Sequence, residues 1–282
     1  MSEGLIDLLA LLELEPIDVN LFRGDSPKTS WPRLFGGQVI GQSIAAACHT
    51  VEKRLPHSLH CYFIRRGEPQ VPVIYQVERL RDGKSYSTRR VTAAQHGNEI
   101  FSIIVSFHAE EQGTFDHQDK MPDVPPPGIL VAKNSFKRPM FPETPEFIRQ
   151  CYAIDLLPVE IGRYFGQKIE DGRIHMWVKV ATELPNDPAL HMCALAYLSD
   201  FSLLEAVTAR YGRTLLDERM MRTSLDHAMW FHRPFRADNW LLYARESPSA
   251  QSGRGLTRGM IFNSDGTLIA SVAQEGSVRE RR

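Results

Sequence analysis

Cysteine is scarce in this chain of 282 residues, and the four present, Cys48, Cys61, Cys151 and Cys193, sit among apolar neighbours without C-x-x-C spacing. That pattern excludes a disulfide frame and a zinc site and predicts reduced thiols in a reducing compartment. An excess of one charge is also missing: 33 Lys plus Arg face 34 Asp plus Glu, for a net charge of −1. A polyanion-coating surface is thereby disfavoured, and no nucleic-acid partner is expected. No apolar run approaches the length of about 18 residues that suggests a membrane span. The N-terminus shows no basic leader before an apolar stretch, and Arg279-Glu280-Arg281-Arg282 is no peroxisomal address. The expected location is cytoplasmic. Gly36, Gly37 and Gly41 lack the spacing of a dinucleotide fingerprint, and the sequence calls for no cofactor and no metal.

What the chain has is a repetition. Ser58 to Arg66 reads S-L-H-C-Y-F-I-R-R, Ser224 to Pro234 reads S-L-D-H-A-M-W-F-H-R-P, and Arg89 to Phe107 lines up with Arg258 to Gly276. Both copies keep the order strand, strand, hairpin, strand, but only the second carries a full set of polar side chains. In a duplication that has lost its symmetry, those extra polar residues mark where the chemistry lies. The 43% hydrophobic content supplies an ordinary core, and the length suits two domains or one pseudo-symmetric body.

Leu5, Leu8, Leu9 and Leu12 fall on one helical face and predict a short amphipathic lid or docking helix. The stretch from Gly36 to Cys48 is small and apolar nearly all round, which predicts a buried helix with a sheet wrapped about it. Strands are predicted at Ser58 to Ile64, Val71 to Leu80 and Thr88 to Ala94, the last joined through His96-Gly97-Asn98 to Ile100 to Phe107. Pro122 to Gly128 reads as an extended polyproline spacer. Beyond it come a strand at Ile174 to Val180, an Asp187-Pro188 helix start and a mostly apolar helical stretch from Ala189 toward Val207. Further strands are expected at Leu225 to His232, Trp240 to Ser247, Leu256 to Phe262 and Leu268 to Gln274, with a turn at Ser264-Asp265-Gly266. A buried helix with antiparallel strands, repeated, is an α+β wrap. The expected division is 1–115, a linker or lid over 116–158, and 159–282.

Three polar residues of the second copy stand where the pattern wants apolar ones. Gln274 shares a strand face with Leu268, Ala270 and Val272, and its counterpart in the first copy is Val105. Asp200 lies in an apolar helical region, whereas Val39 to Val51 holds no carboxylate; an inward carboxylate is costly unless paired. Ser224 opens the strand before Leu225 and shares a face with Asp226 and Trp230 by alternation. Each has a plainer reading. Ser202-Leu203-Leu204-Glu205 matches a capping box, which would put Asp200 at a kink between two helices, Ser224 could be a strand-edge serine, and Gln274 could be an amide satisfied by backbone.

The strings L-F-G-G-Q-V-I-G-Q (Leu34 to Gln42), R-D-G-K-S-Y-S-T-R-R-V (Arg81 to Val91), S-L-D-H-A-M-W-F-H-R-P-F (Ser224 to Phe235) and A-S-V-A-Q-E-G (Ala270 to Gly276) resemble the type II acyl-CoA thioesterases. The resemblance implies a double hotdog, two antiparallel sheets each wrapped on a buried central helix. It also implies a thioester hydrolase in which Asp200, Ser224 and Gln274 orient a water, with acyl-CoA as substrate. A thioester carbonyl is electrophilic enough for a positioned, partly deprotonated water to attack it without a covalent nucleophile. The amides of Gly37 and Gln38, at a helix start, are candidates to receive the oxyanion. Exposed strand edges and the resemblance both suggest a homo-oligomer.

Rival readings fare worse. Ser224, Asp226 and His227 spell triad letters, but a strand sends Asp226 and His227 to opposite faces. Gly41 to Ala45 resembles a nucleophile elbow without the preceding strand or closing glycine. His57 and His60 lack a third metal ligand. A hotdog hydratase or dehydratase, or a non-catalytic acyl-CoA binder, remains the alternative class. Arg65, Arg66, Arg89, Arg90, Arg254 and Arg258 are the basic residues open to a CoA phosphate.

Overall fold

The computed structural model describes residues 7–27, 33–134, 153–214 and 217–281, so Leu5 and Cys151 lie outside the described residues. The first helix, α1 (Leu8–Leu12), is capped by the Asp7 carboxylate, which accepts from the Leu9 and Ala10 amides. It buries Leu8, Leu11 and Leu12 in the main core, while Leu9 is only half-buried. The expected lid helix is thus one short turn of the core itself.

The first repeat is α2 (Gly36–Cys48), β3 (Leu55–Phe63), β4 (Val73–Asp82), β5 (Tyr86–Gln95) and β6 (Asn98–His108), preceded by the short strands β1 (Glu15–Asp18) and β2 (Leu21–Gly24). As its composition predicts, α2 is buried from Gly37 to Ala47. The β5–β6 turn is made by His96 and Gly97, both at positive φ, the conformation that two-residue hairpins require.

After the first repeat, Gln118 and Pro125 tie the chain to the second. The expected polyproline spacer ends in a helix, α3 (Pro127–Asn134), because Pro127 at its start already has a helical φ. Just before it, the Pro125 carbonyl accepts from the buried Trp177 indole at 3.0 Å, which gives that ring nitrogen its partner. Gln118 bonds both the Gly266 carbonyl and the Leu268 amide.

The second repeat runs β7 (Ile154–Pro158), β8 (Ile174–Val180), α4 (Pro188–Ser199), α5 (Glu205–Ala209), β9 (Met220–Ser224), β10 (Asp226–Phe231), β11 (Leu241–Gln251), β12 (Arg254–Asn263) and β13 (Leu268–Glu280). Asp187 caps α4, as its Asp-Pro start predicts. The helix does not run on to Val207. It stops at Asp200, and α5 begins only at Glu205.

Among the described residues, all 13 strands form one antiparallel sheet in the order β1-β2-β4-β5-β6-β3-β10-β13-β12-β11-β8-β7, with β9 also on β13. The two repeats meet at β3 and β10, where Cys61 faces His227. Both central helices lie in the same apolar interior and run antiparallel: Gly37 abuts the Tyr197 carbonyl, and Gly41, one turn later, abuts that of Cys193, one turn earlier. A Cβ at Gly37 would stand 2.3 Å from the Tyr197 oxygen and 2.5 Å from the Phe35 ring. Only glycine permits this approach. Gly37→Ala is therefore expected to cost about 1–3 kcal/mol through overpacking. Urea denaturation measures it, and a wild-type midpoint would show that the helices separate freely.

Candidate active site

The C-terminus of α4 meets the N-terminus of α2 at one end of this helix pair. Asp200 is the C-cap of α4, and its Oδ2 lies where a Cβ on Gly36 would be only 2.6 Å away. Ser224 Oγ donates to Asp200 Oδ1 at 3.0 Å, and Gln274 Nε2 donates to Ser224 Oγ at 2.8 Å. The three candidates thus converge through direct hydrogen bonds, although they come from a helix end and two strands. Gln274 is buried on the inward face of β13, as alternation predicts.

The cluster extends further than sequence reasoning foresaw. His227 Nδ1 lies 2.5 Å from Gln274 Oε1, and its Nε2 lies 2.9 Å from Ser199 Oγ. Hydrogen-bonding inventory assigns every proton along this row. Ser224 gives its hydrogen to Asp200 Oδ1; the Gln274 nitrogen then faces Ser224, and its oxygen faces His227. His227 therefore carries a proton on Nδ1, while the Ser199 hydroxyl, 2.9 Å from Nε2, donates to the Ala196 carbonyl at 2.8 Å. Four side chains, His227, Gln274, Ser224 and Asp200, are ordered with every donor pointing toward the carboxylate.

Strict alternation from Ser224 predicted a face shared with Asp226 and Trp230, and the structure corrects this. Ser224 pairs with Gly276, while Ala228 pairs with Ala273, so four steps along β9–β10 oppose three along β13. This one-residue bulge resets the alternation and brings Ser224 and His227 to the same amide. Asp226 turns aside to accept from the Glu275 amide at 2.8 Å and takes no part. His227 was legible only as a polar residue paired with Gln274; the corresponding facing pair in the first copy is Leu59 and Val105.

The capping-box reading is corrected as well. Leu204, not Ser202, is the N-cap of α5, and Ser202 adopts φ +57°. Its hydroxyl accepts from the buried Arg245, and Glu205 is ion-paired at 2.6 Å with Arg163, both side chains buried. The kink expected of Asp200 on the plainer reading is real, and the carboxylate at that kink is also the end of the polar row. His57 bonds Ser106, and His60 lies edge-on to Trp230. Ser43 is buried inside α2.

A cavity of about 870 Å³ opens beside the row, lined by Asp200, Ser224 and Gln274 together with Gly36, Phe63 and Phe101 among others. Gly37 packs against Tyr197, and the Gln38 amide donates to the Phe35 carbonyl at 3.2 Å. Among the described residues no group of His, Cys, Asp and Glu is placed to hold a metal, and no helix is long and apolar enough to cross a membrane.

Two buried helices inside one antiparallel wrap define a double-hotdog protein. The comparisons agree with that class and narrow it. Residues 148–277 match the acyl-CoA thioesterase family, and residues 27–108 match the acyl-CoA thioesterase N-terminal domain. The chain is 38% identical over 285 residues to acyl-CoA thioesterase 2 of Haemophilus influenzae, covering 99% of each chain. It is 39% identical over 287 residues to human acyl-coenzyme A thioesterase 8, covering 95% of this chain and 88% of that one. Among solved structures it resembles the acyl-CoA thioesterase II TesB2 of Mycobacterium marinum, with a TM-score of 0.79 and 43% identity over 96% of this chain and 98% of that one. The chain belongs to the acyl-CoA thioesterase family.

Burial holds His227 below its ordinary pKa of 6.5, against smaller upward pulls from Asp200 and Gln274. The unfolded chain accepts a proton that the native one refuses, so the stability of the neutral state is complete above pH 6.5 and is lost as the pH falls below it. Denaturation midpoints are expected to drop from neutral pH toward about pH 5, and to drop less steeply for His227→Gln. Equal slopes for the two proteins would remove His227 from the acid response.

Proposed function

We propose that this chain hydrolyses fatty acyl-CoA to free fatty acid and CoA, using a water activated by Asp200 and held by Ser224 and Gln274. The observation that carries the reading is the direct hydrogen-bonded sequence Gln274–Ser224–Asp200 in the wall of a cavity of ligand size. Asp200 Oδ1 is occupied by Ser224, which leaves Oδ2 to take the water's proton. The second N–H of the Gln274 amide and the remaining Ser224 lone pair fix the water's orientation. Water oxygen attacks the thioester carbonyl and the C–S bond breaks. The proton taken by Asp200 then passes to the departing thiolate, so that water, acyl group and CoA balance. The oxyanion is received at the start of α2, where Gly37 is better placed than Gln38: its neighbour Gly36 forms the cavity wall, whereas the Gln38 N–H is directed at Phe35.

His227 acts on this chemistry through Gln274. Its Nδ1 proton holds the amide oxygen away from Ser224, which keeps the amide nitrogen as the donor. The free thiols of Cys48, Cys61 and Cys193 support a reducing, cytoplasmic setting, and the positions of β1 and β7 at the ends of the sheet support association of copies.

Asp200→Asn preserves shape and removes the base. Thiol release from an acyl-CoA, followed with a thiol reagent, should fall by about 10²–10⁴-fold in kcat with the fold unchanged by circular dichroism. Near-normal turnover in that variant would sink the base assignment. Alkene change without thiol release would instead identify a hydratase, and binding without either would identify a carrier. Serine-directed phosphonates should leave the wild-type enzyme active, because Ser224 orients water and attacks nothing.

A further inference from the structure

Beside the corner that follows Asp200, two arginines are sealed in the interior. Arg163 sits on the 3₁₀ turn Ile161–Phe165 and Arg245 on β11, at 1% and 2% exposure. Among the described residues, Glu205 is the only carboxylate buried as deeply, and its Oε2 lies 2.6 Å from Arg163 Nη1. Arg163 Nη2 donates to the Tyr164 hydroxyl at 2.8 Å, and Arg245 Nη1 donates to the carbonyl and hydroxyl of Ser202. Those contacts leave Arg163 Nε, Arg245 Nε and Arg245 Nη2 buried without an acceptor.

The two guanidiniums are neighbours. The Ser202 carbonyl that accepts from Arg245 at 2.9 Å also accepts from the Glu205 amide at 3.0 Å, so Arg245 abuts the residue that pairs with Arg163. Arg163 lies 4.5 Å from the centre of the Tyr164 ring and Arg245 5.2 Å from that of Tyr243, contacts that attract a cation without neutralising it. Burial and then the charge of Arg163 hold Arg245 below its ordinary pKa, with Glu205 pulling the other way. For Arg163 the cost of burial is overcome by Glu205, with help from Tyr164 and Glu160. Glu160 is itself engaged, since His175 holds one of its oxygens by the ring at 2.6 Å and the other by the amide at 2.8 Å.

Two guanidiniums and one carboxylate leave a single positive charge in the interior, and arginine does not shed its proton there. A water would occupy the N–H groups but would leave the charge unanswered. An anion of single charge answers both needs, and such deep burial favours a small one. We infer that Arg163 and Arg245 hold a monovalent anion of the halide class on their unpartnered Nε and Nη2 groups. The ion would brace the corner that fixes Ser202 and, two residues earlier, Asp200. This site stands apart from the hydrolytic reading and survives or fails independently of it.

Protein dialysed against sodium gluconate should gain at least about 2 °C in its unfolding midpoint on exchange into chloride or bromide at equal ionic strength, because an ion bound only by the native state stabilises it by mass action. Crystals of the same protein soaked in bromide should show an anomalous peak in contact with Arg163 Nε and with Nε or Nη2 of Arg245. Arg245→Lys keeps one charge near Ser202 and deletes the extra donors, so both the gain and the peak should be lost. A water in place of the peak, peaks on the protein surface alone, which mark an adventitious ion only, or equal wild-type midpoints in the two salts would overturn the site. So would an Arg245→Lys protein that keeps the gain and the peak. Should that variant not fold, the two wild-type measurements decide.

Discussion

The close antiparallel contact of α2 and α4 is what the candidate site depends on. Asp200 ends α4, and a carboxylate at the C-terminus of its own helix faces the negative end of that helix's dipole, a disfavoured position. The neighbouring start of α2 reverses the balance, because its N-terminal amides favour negative charge. That compensation works only at short range, and the absence of side chains at Gly36 and Gly37 permits it: a Cβ at either would lie within 3 Å of Asp200 Oδ2 or the Tyr197 carbonyl oxygen. The glycine pair thus has a packing role and an electrostatic role at once.

Duplication explains why there is one such row and not two. The antiparallel helix pair has a second end, where α2 stops and α4 begins. There α2 finishes on His49, which stacks on Phe22 at 5.3 Å, in place of a carboxylate. The strand pair facing it carries Leu59 and Val105, both buried, where the other end carries His227 and Gln274. A buried polar pair such as His227 and Gln274 is stable only when each member has a partner, so losing one favours replacing both. An apolar strand pair, Leu59 with Val105, and a fully satisfied polar one, His227 with Gln274, are the two consistent outcomes.

The sequence made much of this legible, and it did so where the signal was local. Strand alternation placed Gln274 inward, the Asp-Pro start located α4, and a carboxylate in an apolar helix marked Asp200. His227 escaped because its face is set by the bulge opposite Gly276 and Ala273, residues nearly fifty positions away along the chain, and no counting from Ser224 can reveal it. Strand β9 escaped for a related reason: Met220–Ser224 pairs with the far end of β13, which runs on to Glu280 beyond its core-facing stretch.

The corner after Asp200 shows how a costly local conformation can be held by an equally costly buried charge. Ser202 in the left-handed region costs about 1–3 kcal/mol. Arg245, buried to 2% exposure, would be still less favourable without acceptors. The two are joined directly: Arg245 Nη1 donates to the Ser202 hydroxyl and, at 2.9 Å, to the Ser202 carbonyl, which also accepts from the Glu205 amide at 3.0 Å. Tyr243 closes the other side by donating to the Ser199 carbonyl, also at 2.9 Å, so the last turn of α4 is satisfied without continuing. Asp200 therefore stands at a helix end whose following corner is held by an arginine from the strand beneath it.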